Sequence, residues 1–265
     1  MIELKNLTKD FGTTLAVNDL SLNIEQGELF SFLGPNGAGK TTTIKMMVGL
    51  LTPTSGSVTM GGFDMSDEPQ KAKHQIGYVP DQAFLYQHLT GVELMMMVGQ
   101  LYNMDDESIL KEKEVLCERL FMSEWIEERI SGYSQGMKQR LAFSTAFLHH
   151  PRILVIDEPM VGLDPKTGRI IKDMLKEKRD GGVTLFVSTH NLNVAEELSD
   201  RIAIINRGKL LGVGTVDSFQ SVSGREENLE ERFLRIVEEE ERVGLSPDDE
   251  PFDSAQDRAP ETTGP

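Results

Sequence analysis

Apolar residues follow two different periods along this chain. Short, nearly continuous apolar runs at residues 29–33, 76–80, 153–159 and 184–190 are typical of strands that are buried on both faces. Between them, the apolar residues of stretches such as 167–180 recur every three or four positions, which is typical of amphipathic helices. Because buried strands alternate with such helices, the pattern predicts an α/β fold with a parallel sheet covered on both faces.

Two regions depart from this alternation. Residues 2–7 and 17–24 alternate apolar and polar side chains, which predicts short antiparallel strands ahead of the first buried strand. Residues 85–150 are rich in Leu, Met, Glu and Lys and show no strand pattern. We therefore predict a helical subdomain at 85–150, inserted into an α/β core that is formed by residues 1–84 and 151–216.

The end of the chain has a different composition. Residues 217–265 carry 15 acidic and five basic residues, a net charge of −10, which leaves −6 of the total of −16 for residues 1–216. We expect 217–265 to be an acidic segment outside the domain 1–216, with a charged helix followed by a disordered polar tail. Neither part has the basic face that binding to nucleic acid normally needs.

Composition also limits where the protein works. A chain of 265 residues with 38% hydrophobic content is long enough to bury a sizeable core. Cys117 is the single cysteine, so an intrachain disulfide is impossible and a reducing compartment is expected. There is no secretory signal pattern at the amino terminus and no apolar run of roughly 18 residues. We expect a chain that is soluble by itself and that takes part in membrane processes only through another chain.

The sequence GPNGAGKT lies between the first buried strand and a predicted helix. Glycines at 34, 37 and 39 permit backbone conformations in which successive N–H groups point at an anion, and the helix start adds further unpaired donors. Lys40 brings a positive charge to the outer phosphates, and the Thr41 hydroxyl is a suitable Mg²⁺ ligand. The pattern predicts a P-loop for a nucleoside triphosphate, made of Gly34, Pro35, Asn36, Gly37, Ala38, Gly39, Lys40, Thr41 and Thr42.

Charged side chains follow two other buried strands. Asp157 stands where a strand-end carboxylate can hold Mg²⁺, and Glu158 is placed to accept a proton from water that attacks the γ-phosphate. His190 ends the strand at 184–190, and ligands of such sheets gather at the carboxyl ends of the strands. We expect Glu158 and His190 to be catalytic.

A third stretch, YSQGM at 133–137, precedes a helix rich in Lys, Gln and Arg. The Ser134 hydroxyl and the close backbone approach allowed by Gly136 would suit a second anion site at a helix start, although a simple helix cap explains the same local pattern. A second phosphate site far from the P-loop makes sense if another copy of the chain completes it.

Taken together, these motifs resemble those of the ATP-binding subunits of ATP-binding cassette (ABC) transporters, over nearly all of residues 1–216. The resemblance implies a P-loop NTPase (RecA-like) core, ATP and Mg²⁺ as ligands, an adenine contact from Phe11 and a dimer-contact loop at GLDP that contains Asp164. It also implies a head-to-tail homodimer in which Ser134 and Gly136 of one copy bind the nucleotide on the P-loop of the other. ATP-driven closure of this dimer would power translocation by a separate integral membrane permease, with the ATPase on the cytoplasmic side of the cell membrane.

The sequence departs from the family pattern at two positions. Glutamine usually follows IGYVP and joins the Mg²⁺ shell, whereas here Asp81 stands there with Gln82 next to it, so either residue would take that role; we prefer Asp81. The signature is usually Leu-Ser-Gly-Gly-Gln, and Gln135 here replaces its first glycine. Both variants resemble bacterial subunits that pair with exporter-type permeases.

Two other functions remain compatible with these residues. A soluble ABC ATPase of translation or DNA maintenance is disfavoured by the single cassette and the acidic charge balance. A nucleotide-gated binding module with little turnover is disfavoured by Glu158 and His190. Residues 83–97, which include three consecutive methionines, are placed where the family receives the permease, although packing inside the helical subdomain explains these methionines equally well.

Overall fold

The computed structural model describes residues 1–220 and 229–244, and within them the chain forms ten strands and nine α-helices. The strands are β1 Ile2–Asp10, β2 Leu15–Ile24, β3 Leu29–Leu33, β4 Ser55–Met60, β5 Phe63–Asp64, β6 Ile76–Val79, β7 Ile153–Asp157, β8 Thr184–Thr189, β9 Arg201–Asn206 and β10 Lys209–Thr215. The helices are α1 Lys40–Met47, α2 Pro69–His74, α3 Gly91–Leu101, α4 Asp106–Arg119, α5 Gln135–Phe147, α6 Pro165–Asp180, α7 Leu192–Leu198, α8 Val216–Gln220 and α9 Leu229–Gly244.

A six-stranded sheet forms the centre of the molecule, in the order β10-β9-β3-β8-β7-β6. All its neighbouring strands are parallel except β10, which pairs antiparallel with β9 at the edge. Every residue of β3, β7 and β8 is buried, because helices cover both faces of a parallel sheet. These are the runs whose continuous apolar character predicts buried strands.

A second sheet, antiparallel and four-stranded in the order β2-β1-β4-β5, contains the predicted amino-terminal strands. Side chains from this sheet, from α1 and from one face of the large sheet share a single apolar cluster, in which Leu4, Ile44 and Phe32 are fully buried. This cluster fixes the position of α1, and therefore of the loop that precedes it, relative to both sheets.

Helices α3, α4 and α5 lie between β6 and β7, within the segment predicted to be helical. Their apolar faces pack in one continuous cluster with the other face of the large sheet, and Phe143 and Leu185 are both fully buried in it. Met95 is also fully buried there, while Met96 and Met97 are partly buried against it. These methionines therefore pack against the apolar cluster within the protein, which is the second of the two interpretations of them. The fold class is confirmed: an α/β P-loop NTPase core with amino-terminal antiparallel strands and inserted helices.

Helix α9 closes the described part of the chain. Phe233 and Ile236 pack beside a small cluster that contains Leu33, Ile202 and Phe219. The expected disordered tail falls outside the described residues, and the division of the chain at residue 216 stays a prediction. Within residues 1–220 and 229–244, we find no helix that is both long and apolar enough to cross a lipid bilayer.

Candidate functional site

The carboxyl ends of four parallel strands meet at one edge of the large sheet. The chain leaves β3 into the P-loop, β7 ends at Asp157, and His190 follows β8. Asp157 is paired with Ser188, and Leu33 is paired with Thr189 on one side and with Ile204 on the other. This register brings together at one edge residues that are far apart in the sequence.

A cavity of about 420 Å³ opens at this edge. It is lined by most of the predicted nucleotide-binding and metal-binding residues and by four others: Pro35, Asn36, Gly37, Ala38, Gly39, Lys40, Thr41, Thr42, Asp81, Asp157 and Glu158, together with Thr14, Leu15, Ala16 and Arg207. Gly34 lies directly below the loop, where a Cβ would stand 2.4 Å from the carbonyl oxygen of Ile205. Only glycine fits at that position.

The P-loop is already shaped for an anion. Gly39 caps α1 with a φ of 107°, a left-handed conformation that places the first helical N–H groups at the loop. Lys40 Nζ donates hydrogen bonds to the carbonyl oxygens of Gly34 and Pro35, at 2.7 and 3.2 Å. Burial lowers the pKa of Lys40, and the nearby charges of Glu158 and Asp157 oppose that shift. The lysine is thus held over the loop, beside the place where phosphates would bind.

Three oxygen-bearing side chains converge next to the loop. Thr41 Oγ1 donates to Asp157 Oδ2 at 2.9 Å, and Ser188 Oγ donates to the other carboxylate oxygen of Asp157. Asp157 is only 1% exposed, and Asp81 lines the same cavity. Burial raises the pKa of Asp81, and so do the charges of Asp157 and Glu158. This concentration of negative charge and oxygen ligands fits a divalent cation such as Mg²⁺.

Glu158 is fixed by its backbone and by two neighbours. Its φ of 53° is left-handed, which is uncommon for a residue other than glycine, and its N–H donates to the Ser188 carbonyl at 3.0 Å. Its Oε1 atom lies 2.9 Å from His190 Nδ1 and 3.7 Å from Lys40 Nζ, while Thr189 Oγ1 donates to Oε2 at 3.4 Å. The structure therefore brings together the two predicted catalytic side chains and the P-loop lysine.

Of the two candidates after Pro80, only Asp81 lines the cavity at the P-loop. Gln82 lines two neighbouring cavities instead, one beside the helical insert and one beside Leu50 and Phe84. The second of these, about 580 Å³, is also lined by Thr41, Asp81 and Asp157. Asp81 thus faces the P-loop and the outer surface at the same time.

Six predicted residues do not line this cavity: Gly34, His190, which contacts Glu158 instead, and Phe11, Ser134, Gly136 and Asp164. Ser134 caps α5 and accepts a hydrogen bond from Met137 N at 3.3 Å, and Asp164 caps α6 by accepting from Lys166 N and Thr167 N, both at 3.0 Å. The hydroxyl and amide of Thr167 lower the pKa of Asp164. A Cβ on Gly136 would stand 3.1 Å from the Gly162 carbonyl oxygen, so the YSQGM and GLDP segments pack against each other. Phe11 is 54% exposed, with Lys9 Nζ 5.2 Å from the centre of its ring.

Sequence reasoning missed several residues of the site. Ser188 and Thr189, which orient the two carboxylates, belong to the strand that ends at His190, so their place in the strand was a usable signal. Arg207 follows β9 at the same sheet edge and could have been found by the same rule. The segment 14–16 lies there through the packing of β2 against β10, for which no local pattern exists.

Comparison with known proteins identifies the family. The ABC transporter family profile matches residues 17–161, more than half of the chain. The linearmycin resistance ATP-binding protein LnrL of Bacillus subtilis is 37% identical over 215 residues, which cover 81% of this chain and 69% of that protein. One solved structure, an ATP-binding subunit of an ABC transporter, superposes with a TM-score of 0.85 at 28% identity and covers 89% of this chain and 99% of its own.

A second solved structure has a direct bearing on the cavity. It shows a dimeric post-hydrolysis state of the ATP-binding cassette MJ0796 bound to ADP and Pi, with a TM-score of 0.75, 30% identity, and coverage of 81% of this chain and 98% of that one. In this chain, the P-loop and the strand-end carboxylates line one cavity, and the histidine contacts one of those carboxylates, Glu158. The chain belongs to the ABC transporter family and is an ATP-binding subunit with ATPase activity.

Proposed function

We propose that two copies of this chain bind two ATP molecules between them and that hydrolysis drives a separate membrane permease from the cytoplasmic side of the membrane. The observation that carries this proposal is the division of the predicted site into two parts. Lys40, Asp157 and Glu158 line one cavity and His190 contacts Glu158 there, whereas Ser134 and Gly136 lie outside the cavity. The dimeric state of the cassette MJ0796 supports a second copy as the source of the missing part.

Each side chain in the cavity has a chemical task in ATP hydrolysis. Glu158 Oε1 accepts a proton from the attacking water, and His190 orients that carboxylate and contacts the γ-phosphate. Lys40 and the P-loop N–H groups bind the phosphates. Thr41 and Asp157 would hold Mg²⁺, with Asp81 near its water shell; the ion would neutralise charge on the β- and γ-phosphates. Phe11 is exposed and free to stack on adenine.

In the head-to-tail dimer, Ser134 and Gly136 would contact the γ-phosphate held by the partner. Ser134 stands at the start of α5, a helix of 13 residues, so the unpaired N–H groups and the dipole of this helix favour an anion there. Asp164 lies at the start of α6, where the packing of Gly136 on Gly162 links it to the signature segment. We therefore assign Asp164 to the dimer contact and not to direct phosphate binding.

The permease would dock on an exposed apolar surface formed by Leu50, Phe84 and Tyr86, which are 64%, 91% and 65% exposed. Exposed aromatic side chains that lie together are typical of contact sites. The cavity beside Leu50 and Phe84 shares Thr41, Asp81 and Asp157 with the nucleotide cavity. Asp81 would thus transmit the state of the γ-phosphate to the permease, with residues 83–86 as the contact segment.

Mixing two inactive variants tests the shared site. Lys40→Ala removes the phosphate contact of one half-site, and Ser134→Ala removes that of the other. In a head-to-tail heterodimer, one site combines both defects and the second is intact. We expect each variant alone to lose ATPase activity and ATP-dependent dimerisation, and an equimolar mixture to regain both in part, because each heterodimer contains one intact site.

A site contained within one copy predicts the opposite result, because mixing would then restore nothing. The matched control is Ser123→Ala, a change at a serine that also precedes α5 in the chain but lies outside the signature. This variant should bind ATP and dimerise like the unmodified chain. Full ATPase activity of a monomeric Ser134→Ala variant would overturn the dimer proposal. Co-purification with an integral membrane protein, lost in Phe84→Ala, tests the permease contact separately.

A further inference from the structure

Arg207 lies in the turn between β9 and β10, at the same sheet edge as the P-loop. It is exposed, and it lines the 420 Å³ cavity with the P-loop residues. In the described part of the chain, that cavity is lined by three acidic residues and by two basic ones, Lys40 and Arg207. An anionic ligand that reaches beyond Lys40 therefore meets one further cationic side chain in the lining.

The turn that carries Arg207 is fastened to the P-loop. Gly208 N donates to the Ala38 carbonyl at 2.8 Å, and Asn18 N donates to the Gly208 carbonyl at 2.9 Å. Arg207 and Gly208 both have left-handed backbones, with φ of 47° and 78°, as two-residue hairpins require. A Cβ on Gly208 would stand 2.7 Å from the Ala16 carbonyl oxygen, so this turn packs directly on the first residues of β2. The backbone of Arg207 is thus fixed relative to the loop that binds phosphate.

The order of strands decides which end of the nucleotide Arg207 would meet. Asp157 and Glu158 follow β7 and His190 follows β8, all on one side of β3, whereas Arg207 follows β9 on the other side. With the γ-phosphate at Lys40 and Glu158, the ribose extends away from these residues. Thr14, Leu15 and Ala16 line the cavity near the Arg207 turn, so the ribose and the α-phosphate come within reach of this side chain.

We propose that Arg207 is a further nucleotide-binding residue whose guanidinium donates hydrogen bonds to the ribose and α-phosphate, the parts that ATP shares with ADP. A guanidinium presents several donors in a fixed planar arrangement and stays charged at every relevant pH, which suits a phosphate oxygen and a neighbouring hydroxyl. The fixed turn lowers the entropy lost when the contact forms. This inference rests on the nucleotide site proposed above and adds a residue to it.

The test compares Arg207→Ala, Arg207→Lys and the control Lys209→Ala, which removes an exposed charge two residues away in the same hairpin. Affinities of the full-length chain for Mg-ADP, Mg-GDP and a non-hydrolysable ATP analogue are measured by calorimetry, with the unfolding temperature of the free protein as a check of the fold. We expect Arg207→Ala to weaken the affinity for ADP and the affinity for the analogue by the same factor, about 3- to 15-fold. The loss is of this moderate size because hydrogen bonds to a charged group contribute less at an exposed site than in a core.

Several further readouts belong to the same expectation. In Arg207→Ala, the ratio of the ADP and GDP affinities stays constant, and KM for ATP rises by the same factor while kcat changes less than about twofold. Arg207→Lys keeps part of the affinity. Lys209→Ala changes none of these values. An Arg207→Ala variant that binds ADP within twofold of the unmodified chain overturns the proposal, as does a loss confined to the ATP analogue or a changed ADP-to-GDP ratio. If Arg207→Ala does not fold, Arg207→Gln and Arg207→Lys decide by the same criteria. Failure of the unmodified chain to bind ADP would instead contradict the nucleotide site itself.

Discussion

His190 Nδ1 and Lys40 Nζ approach the same oxygen of Glu158, Oε1, at 2.9 and 3.7 Å. The carboxylate is 13% exposed and its backbone is held in a left-handed conformation, so the oxygen has a defined direction into the cavity. Two nitrogen-bearing side chains thus contact the carboxylate oxygen that we propose as the general base. Such fixed geometry is what a proton transfer in the transition state needs.

Replacing Glu158 by Gln should abolish turnover while ATP binding remains. The amide keeps the size of the side chain but cannot accept the proton of the attacking water, and we expect kcat to fall by at least about 100-fold. Removal of a negative charge near the phosphates leaves ATP affinity unchanged or higher. Steady-state ATPase assays and calorimetry measure both effects. Glu177→Gln, at an exposed pair with Arg119, is the matched control and should keep full activity. Normal hydrolysis by Glu158→Gln would show that another group is the base.

Replacing His190 by Ala should lower kcat by roughly 10- to 100-fold with a much smaller change in KM, because the variant leaves Glu158 without its closest partner and loses the contact to the γ-phosphate. His150→Ala provides the control, since His150 is exposed and pairs with Glu112 far from the nucleotide cavity. A rise in KM with unchanged kcat would mean that His190 acts in ATP binding alone.

Substitutions of Asp81 and of Gln82 should have different effects on the Mg²⁺ dependence of ATPase activity. Asp81 lines the nucleotide cavity and Gln82 does not. We expect Asp81→Ala to raise the Mg²⁺ concentration for half-maximal ATPase activity roughly 3- to 10-fold, because one carboxylate oxygen is lost from the ion's surroundings. Gln82→Ala should change it less than about twofold. The reverse order of effects would assign the role to Gln82.

The sequence motifs predict most of the cavity because each motif combines a local backbone requirement with a strand end. Thr41 and Asp157 are 116 positions apart, yet both follow from the rule that parallel strands end at one edge. The choice between Asp81 and Gln82 was open in the sequence, since a slip of one residue in a loop changes no periodicity. The loop after Pro80 runs so that Asp81, and not Gln82, lines the nucleotide cavity, and which of the two serves the Mg²⁺ site stays a prediction.

Other features depend on neighbours that are distant in the sequence. The strand-end rule places Arg207 at the right edge of the sheet, but Arg207 reaches the cavity because β9 lies next to β3, and no pattern near either strand encodes that order. The three methionines at 95–97 and the exposed Phe84 have similar apolar character in the sequence. Only the packing of α3 against α4 and α5 shows that these methionines contact the apolar cluster, whereas Phe84, before α3, is 91% exposed.

A last prediction concerns acid stability and the joint between the inserted helices and the sheet. His149, just after α5, lies 3.2 Å through Nε2 from the Ile76 carbonyl oxygen of β6 and stacks on Tyr102 with ring centres 3.5 Å apart. Its Nδ1 is buried and has no hydrogen-bond partner among the residues that the structure describes. Burial lowers the pKa of His149 to about 4, and the nearby His74 and His150 act in the same direction. The imidazole is therefore neutral in the folded protein at physiological pH.

Because the unfolded chain binds a proton at His149 near pH 6.5 and the folded chain only near pH 4, the unfolded state is favoured as the pH falls between these values. The contribution of neutral His149 to the free energy of unfolding is fully present above pH 6.5. It is lost progressively toward pH 4, by up to about 3 kcal/mol for a pKa shift of this size. His149→Gln keeps an amide donor for the Ile76 carbonyl but does not titrate, so its unfolding free energy should fall less steeply over this window. Denaturant unfolding from pH 7 to pH 4 measures the difference, with His88→Gln, a change at an exposed histidine, as control. If the free energy of unfolding depends on pH in the same way for His149→Gln and for the unmodified chain, His149 does not stay neutral in the fold.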